Sequence, residues 1–283
     1  MTDKTDLDPE APDPLADEQL EIAPPDVARE VERVGAVITE EETPSPGRMK
    51  IDLHCHTEAS SDCITPLELF PDRCYERQIR AQAITDHNEI WAAQELQELV
   101  AAEGYPLTVI VGEEITTTEG EIIGLFLKER IEAGLTPEES VARIHEQGGL
   151  VLLPHGFDPL KRLRLNPAAR ARIAGQIDIV ETFNARISRP RWNRAAVSWA
   201  DERDLLMSAG SDAHTLADVG AAWVEVPSQP VGTPQQLLDA LRGGVPVGKW
   251  THPVIAFGYK IYDWIRSVLV SWYKRLFVRQ RRR

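Results

Sequence analysis

The chain has 283 residues, a hydrophobic fraction of 42% and a formal net charge of −14. That hydrophobic content supports a real core and a soluble, globular class, while the acidic balance argues against a general nucleic-acid binder, which carries a basic face. The charge is unevenly laid out: residues 1–48 hold 14 acidic against 4 basic side chains, and residues 249–283 hold 9 basic against one acidic.

Residues 1–48 are rich in Asp, Glu and Pro, as in "DLDPEAPDPLADE". Such a stretch buries too little apolar surface to offset its ordering entropy, so an acidic, mostly disordered tail is expected, with a short helix over 27–38 as its one structured alternative. It has no apolar core of the kind a secretory signal needs. Cys55, Cys63 and Cys74 are three and closely spaced, which suggests no disulfide framework and points to a reducing, cytoplasmic compartment.

From Met49 to about Gly248 the pattern changes to short apolar runs alternating with amphipathic stretches, the signature of βα units around a largely parallel sheet. The runs are "KIDLHCH", "AQAITDH", "LTVIVGEEIT", "EIIGLFL", "GLVLLPH", "IDIVETFN" and "LLMSAGSDAH". Only "TTEG" separates the third from the fourth, which predicts a hairpin there.

Most of these runs end in His, Asp or Glu. In parallel α/β barrels the C-terminal ends of the strands meet at one mouth, so the polar ends would pool there. Five of the seven histidines, His54, His56, His87, His155 and His214, fall at such ends. His145, within a helical pattern, and His252, in the tail, read as structural or surface residues. Each strand end alone has an ordinary explanation, a satisfied histidine or a helix-capping aspartate; the recurrence does not. With Asp62, Glu113 or Glu114, and Asp212, the five histidines make a mixed imidazole–carboxylate set suited to Zn²⁺, Mn²⁺ or Fe²⁺. The donors exceed the needs of one ion, and two neighbouring cations would suit phosphoryl chemistry.

The motifs "DLHCHT", "AITDHN", "GEEI", "LPHG" and "GSDAH", in this order over roughly residues 49–226, resemble those of the polymerase and histidinol phosphatase (PHP) superfamily of metal-dependent phosphoesterases. The resemblance implies a distorted (βα)7 TIM-like barrel with two or three divalent metals (Zn, Mn or Fe) at the C-terminal ends of its strands. It implies that His54, His56, Glu114 and Asp212 hold one metal and that Glu114, rather than Glu113, bridges to a second held by His155. Asp62, His87 and His214 would hold a third, and Glu114, Asp212 and His214 are the expected catalytic residues. There is one departure: many relatives carry a further histidine on the strand after the bridging Glu, where this chain reads "EIIGLFL" (121–127), leaving the second metal short of a ligand.

For substrate, "NARISRPRWNR" (184–194) and "PLKRLR" after His155 supply cations. Arg186 is the expected phosphate clamp, since guanidinium binds phosphate bidentately, and the other arginines read as solvated charges. Glu181 and Asn184 are expected near the mouth, orienting ligands or touching substrate. In the segment 249–283, Ile261, Trp264, Ile265, Val268, Leu269, Trp272 and Leu276 recur at helical spacing, with Lys260, Asp263 and Arg266 interrupting any membrane span. A basic amphipathic helix is expected, lying on an anionic membrane surface or packed on the barrel or a partner.

The expected activity is hydrolysis of phosphate esters, on a phosphorylated small molecule or nucleotide, by a metal-activated hydroxide. One alternative is a phosphodiesterase or 5′–3′ exonuclease acting on short oligonucleotides without a stable nucleic-acid complex. A non-catalytic, membrane-associated binding protein with a residual metal site is the other. The expected location is cytoplasmic, or peripheral at the inner face of a membrane if the tail docks there.

Overall fold

The protein is described here from a computed structural model covering residues 43–63 and 65–252, with 254, 258 and 261. The acidic tail expected over 1–48 and the amphipathic helix expected within 249–283 lie mostly outside the described residues.

The strands are β1 (Arg48–Asp52), β2 (Ile79–Ile84), β3 (Thr108–Thr117), β4 (Gly120–Leu125), β5 (Leu150–Leu153), β6 (Ile179–Asn184), β7 (Leu206–Gly210), β8 (Ala222–Pro227) and β9 (Val245–Gly248). They form one sheet in the order β7-β6-β5-β4-β3-β2-β1-β8-β9. Pairing is parallel within β1-β2-β3 and within β5-β6-β7, and β4 runs antiparallel to both of its neighbours. The strands β1, β2, β3, β5, β6 and β7 therefore point the same way, as does β9 through antiparallel β8, and the ends of the six share one side of the sheet. The sheet nearly closes on itself: Leu53 N donates to Ala209 O at 3.3 Å, and Asp212 N donates to His54 O at 2.8 Å, joining the end of β1 to the end of β7.

Six α-helices connect the strands: α1 (Phe70–Glu76), α2 (Trp91–Glu103), α3 (Pro137–Glu146), α4 (Pro167–Ile173), α5 (Pro190–Asp201) and α6 (Pro234–Leu241). Their starts are written in the sequence. Thr136 and Glu139 form a reciprocal capping box before α3, Asn166 caps Ala168 N at α4, and Thr233 caps Gln236 N at α6, each followed by proline at the first turn. Gly104, at φ 73°, ends α2 in the left-handed conformation.

Two apolar layers hold the fold. Ile51, Leu53, Ala83, Ile110, Ile123, Leu152, Ile179 and Val224 pack on one face of the sheet. On the other, Ile84, Val111, Ile122, Val151 and Val180 meet Leu96 and Val100 of α2, Val141 and Ile144 of α3, and Ala196 and Ala200 of α5. The predicted hairpin forms between β3 and β4, and it fixes where β4 begins. Gly120 has φ +122°, and a Cβ there would sit 2.5 Å from Leu165 Cα, so only glycine lets the loop after β5 pass so closely. Glu121 N donates to Leu163 O at 2.7 Å across that contact.

Candidate metal centre

The aligned strand ends deliver the polar side chains to one place. His54 and His56 follow β1, Asp86 and His87 follow β2, Glu114 lies on β3, His155 follows β5, and Asp212 and His214 follow β7. Antiparallel β4 begins at the same end that its parallel neighbours reach last. Its Glu121 is paired with Thr116, on the same face of the hairpin as Glu114. Backbone strain marks the site: His155 (φ 26°) and Asp212 (φ 50°) both occupy the left-handed region, at about 1–3 kcal/mol each. At Gly210 a Cβ would meet His54 Cβ at 2.3 Å and Glu181 Oε1 at 2.4 Å, so β7 approaches β1 too closely for any side chain.

Hydrogen bonding fixes the protons on the first two imidazoles. His54 Nδ1 lies 2.9 Å from Glu181 Oε1, and a carboxylate only accepts, so His54 carries its proton on Nδ1. Ser60 Oγ donates its one proton to Asp86 Oδ1 at 2.6 Å. The same oxygen lies 3.1 Å from His56 Nδ1 and must accept there, so His56 is also protonated on Nδ1. The two Nε2 atoms, 3.2 Å apart, are thus the ring positions left to face a cation or to carry a second proton. Glu114 Oε2 joins them at 3.4 and 3.3 Å, and Asp212 Oδ1 at 3.8 and 3.5 Å. Two imidazole nitrogens and two carboxylate oxygens at such separations call for positive charge among them, supplied by a metal or, in its absence, by protons on imidazoles whose pKa values, against the effect of burial, the carboxylates raise. A tetrahedral ion with ligand bonds of ~2.0–2.1 Å sets its ligands roughly 3.3–3.4 Å apart. The donor set fits a divalent metal.

Glu114 shows a second oxygen to the other side. Its Oε1 lies 3.0 Å from His155 Nε2, while Glu121 Oε2 lies 4.0 Å from the same nitrogen. His87 Nδ1 stands 3.4 Å from both Glu114 Oε2 and Glu121 Oε1. A third grouping brings Asp62 Oδ2 to 3.0 Å from His214 Nε2 and Asp62 Oδ1 to 3.6 Å from His87 Nε2. His214 Nδ1 donates to Asp212 O at 2.9 Å. Glu113, the other carboxylate of the pair, points away: it accepts from Ile131 N at 2.8 Å, and burial pushes it up to about 7.

The electrostatics match the geometry. Burial is the largest single influence on each of these groups. It opposes charge on His54, but Glu181, Glu114 and Asp212 together raise that imidazole well above its usual range. Likewise burial would raise Glu114, yet His54, His155 and His56 hold it well below, and Lys161 and His54 do the same for Asp212. Burial and the neighbouring charge of Glu114 raise Glu121. Burial and the charge of His56 depress His214 to about 3. The pocket is a buried carboxylate cluster that calls for positive charge.

Around it, Glu181 and Asn184 are both buried and turned inward. Glu181 accepts from His155 N at 2.6 Å as well as from His54, and Asn184 Nδ2 donates to Glu181 Oε2 at 3.0 Å and Asp212 Oδ2 at 3.3 Å. Both are hydrogen-bonded to candidate ligands, which accords with the orienting role of the two that the sequence leaves open. Arg186 is half-buried beside the mouth, with Nη1 donating to Asp212 O at 3.2 Å, whereas Arg189, Arg191 and Arg194 are exposed. Sequence reading missed Glu121, the Asp86–Ser60 pair behind His56, and Lys161, whose ammonium is ion-paired with Asp212 Oδ2. Each had a signal: the hairpin register, the Asp preceding His87, and the lysine in "PLKRLR". His145 pairs with Asp178 at 3.2 Å on the surface, far from this chemistry, and the three cysteines are buried and unbridged. Among the described residues no helix is long and apolar enough to cross a membrane.

The PHP domain family model matches residues 52–170, and the PHP-associated model matches residues 190–246. An uncharacterized protein of Methanocaldococcus jannaschii is 36% identical over 192 residues, 67% of this chain and 75% of that protein. A 5′–3′ exoribonuclease of Escherichia coli is 40% identical over 78 residues, 26% of each chain. Among solved structures, a two-domain protein of Bacteroides vulgatus containing a predicted PHP-like metal-dependent phosphoesterase aligns with a TM-score of 0.57 at 18% identity, covering 76% of this chain and 69% of that one. That last likeness is one of fold.

Proposed function

The chain belongs to the PHP superfamily of metal-dependent phosphoesterases, and from that premise we propose that it hydrolyses phosphate esters of small molecules or nucleotides at the cluster described above. The observation that carries this reading is the convergence of two imidazole nitrogens, His54 Nε2 and His56 Nε2, on Glu114 and Asp212. In this reading His54, His56, Glu114 and Asp212 hold one divalent metal and His155 shares Glu114 with a second. Asp62, His87 and His214 supply a third position. Divalent cations at such a site contribute Lewis acidity toward a phosphoryl oxygen and lower the pKa of an attacking water.

The chain's own side chains account for the rest. Glu181 fixes the His54 ring and the backbone of His155, and Asp52 fixes the turn by accepting from His54 N and from Ser211 N and Oγ at 3.2, 3.1 and 2.6 Å. Lys161 and Arg186 flank Asp212 from the solvent side and would meet the outer phosphate oxygens. Glu114, Asp212 and His214 surround the position where the reacting phosphorus would sit.

A second reading is favoured by one finding, the 78-residue stretch shared with the exoribonuclease: removal of nucleotides from the 5′ end of short oligonucleotides. This chain spans about a quarter of that protein, so the shared stretch speaks for the site more than for the substrate. The retained ligand set argues against a non-catalytic binding protein, since a decaying site would have lost more than one position. The deciding experiment is a screen of the Mn²⁺- or Zn²⁺-reconstituted protein against phosphomonoesters, nucleotides and 5′-phosphorylated oligonucleotides. Orthophosphate release from monoesters supports the first reading, and mononucleotide release from oligomers alone supports the second. No turnover on any of them removes both.

A further inference from the structure

We propose that Glu121 is the selectivity-determining ligand of the second cation position: it completes a carboxylate-rich donor set that favours Mn²⁺ over Zn²⁺ relative to a nitrogen donor at the same place. The inference rests on the metal-dependent reading above but concerns which ion is held and by what. Glu121 is 4% exposed, and its buried Oε1 makes no well-formed hydrogen bond, its nearest partner being His87 Nδ1 at 3.4 Å. A water-excluded carboxylate held by so long a contact is rare in folded proteins because burial of a poorly compensated charge is costly. Glu121 also lies near a second carboxylate: His87 Nδ1 is 3.4 Å from Glu121 Oε1 and 3.4 Å from Glu114 Oε2. On the other side, His155 Nε2 is 3.0 Å from Glu114 Oε1 and 4.0 Å from Glu121 Oε2. Two buried carboxylates therefore face His155, and a cation among these three would be held by Glu114, Glu121 and His155, with His87 Nδ1 beside the carboxylates and its Nε2 turned to Asp62.

The hairpin dictates this arrangement. Thr116 pairs with Glu121 and Glu114 with Ile123, so Glu114 and Glu121 project from one face of two adjacent strands. Gly120 and the Leu163 carbonyl anchor the turn, so Glu121 cannot withdraw without unpairing β4 from the loop after β5. The position then has two carboxylates and one imidazole, whereas the first has two of each, and a histidine in place of Glu121 would reverse that balance. Carboxylate oxygen suits Mn²⁺ and Mg²⁺, and added imidazole moves a site toward Zn²⁺.

The test uses the full chain, stripped with a chelator and reloaded with Mn²⁺, with Zn²⁺, or with an equimolar mixture. Bound ions are counted per chain by elemental mass spectrometry after gel filtration. Glu121→Gln keeps the shape and removes the charge; it should hold one Mn²⁺ fewer than the wild-type chain. Glu121→His should hold the full number of ions in Zn²⁺ and lower the Mn:Zn ratio from the mixture by about tenfold. Circular dichroism on each variant separates loss of an ion from loss of fold. Wild-type Mn²⁺ stoichiometry in Glu121→Gln, or an unchanged Mn:Zn ratio in Glu121→His, would overturn the proposal. Hydrolysis of the best phosphate ester by the wild-type chain, measured on the same preparations, reports on the catalytic reading separately: its absence would defeat that reading while leaving the ion count to judge Glu121.

Discussion

His54 Nε2 and His56 Nε2 face each other at 3.2 Å, each with its ring proton held on the opposite nitrogen by Glu181 and by Ser60. With two carboxylate oxygens beside them, they form a preformed donor set that a divalent cation can fill in place of the imidazole protons. Metal binding should therefore couple strongly to stability. A cation present at about 100 times its dissociation constant adds about 2.7 kcal/mol, because it binds the folded chain and not the unfolded one. For a domain of this size that is a rise of about 5–10 °C in Tm. Thermal unfolding of chelated and reloaded protein measures it, and identical melting curves would show that the cluster holds no ion.

Ser60 should matter more than its size suggests. It relays Asp86 to His56, and its hydroxyl decides which nitrogen of that ring is free. Ser60→Ala leaves the imidazole able to take either tautomer, so metal affinity should fall by about 10–100-fold. Titration calorimetry with Mn²⁺ or Zn²⁺ reads the loss directly, and Ser60→Thr, which keeps the hydroxyl, should restore most of it. Equal affinity in Ser60→Ala and the wild type would mean that the relay does not set the tautomer.

Removing a member of the cluster itself is the harsher test. Asp212→Ala or His56→Ala should lower kcat/KM by about a thousandfold, near 4 kcal/mol of transition-state stabilisation. Both side chains serve the mouth, so the two apolar layers should survive and the circular dichroism spectrum should be unchanged. Retained turnover in either variant would place the chemistry elsewhere.

The parts legible in the sequence were those written in local pattern. The alternation of apolar runs with helical stretches announced the parallel strands, and the His, Asp and Glu at their ends announced the mouth, because strand direction alone brings such ends together. Thr136, Asn166 and Thr233 cap their helices through local pattern of the same kind, which sequence reading did not use. Glu121 was harder to see, since it opens its apolar run instead of closing it. Only an antiparallel strand brings a first residue to the mouth, and the consequence of the predicted hairpin for side-chain facing had to be followed one step further. Asp86 and Ser60 act through hydrogen bonds across 26 residues, and no periodicity encodes such a contact. Lys161 resembled its solvated neighbours because reach toward Asp212 depends on how the loop after His155 folds.

Gly210 offers a check on the packing that supports the site. A methyl group there would collide with His54 Cβ and Glu181 Oε1. Gly210→Ala should cost about 1–3 kcal/mol of stability through overpacking and displace His54 from its partners. Denaturant unfolding measures the first effect and metal stoichiometry the second; a variant with wild-type values of both would mean that β1 and β7 stand further apart than described.

Lys161 and Arg186 separate substrate recognition from metal binding. Lys161 is ion-paired with Asp212 Oδ2 and remains 26% exposed, so its ammonium is within reach of a phosphate entering from solvent. Burial opposes its charge, but Asp212 outweighs that effect and keeps the ammonium pKa above the usual lysine range. Arg186 approaches the same residue through its backbone carbonyl, at 3.2 Å. A phosphate contact made equally in the ground state and the transition state raises KM on removal and leaves kcat alone, whereas one that strengthens at the transition state lowers kcat. Lys161→Ala and Arg186→Ala should each lower kcat/KM by roughly tenfold or more, about 1.4 kcal/mol, with bound metal unchanged. Arg189→Ala, at an exposed position, should leave both values at wild type. If the Lys161 variant loses metal along with activity, its role is to hold Asp212 in place; if neither variant changes kinetics, the phosphate is met by the cations of the cluster alone.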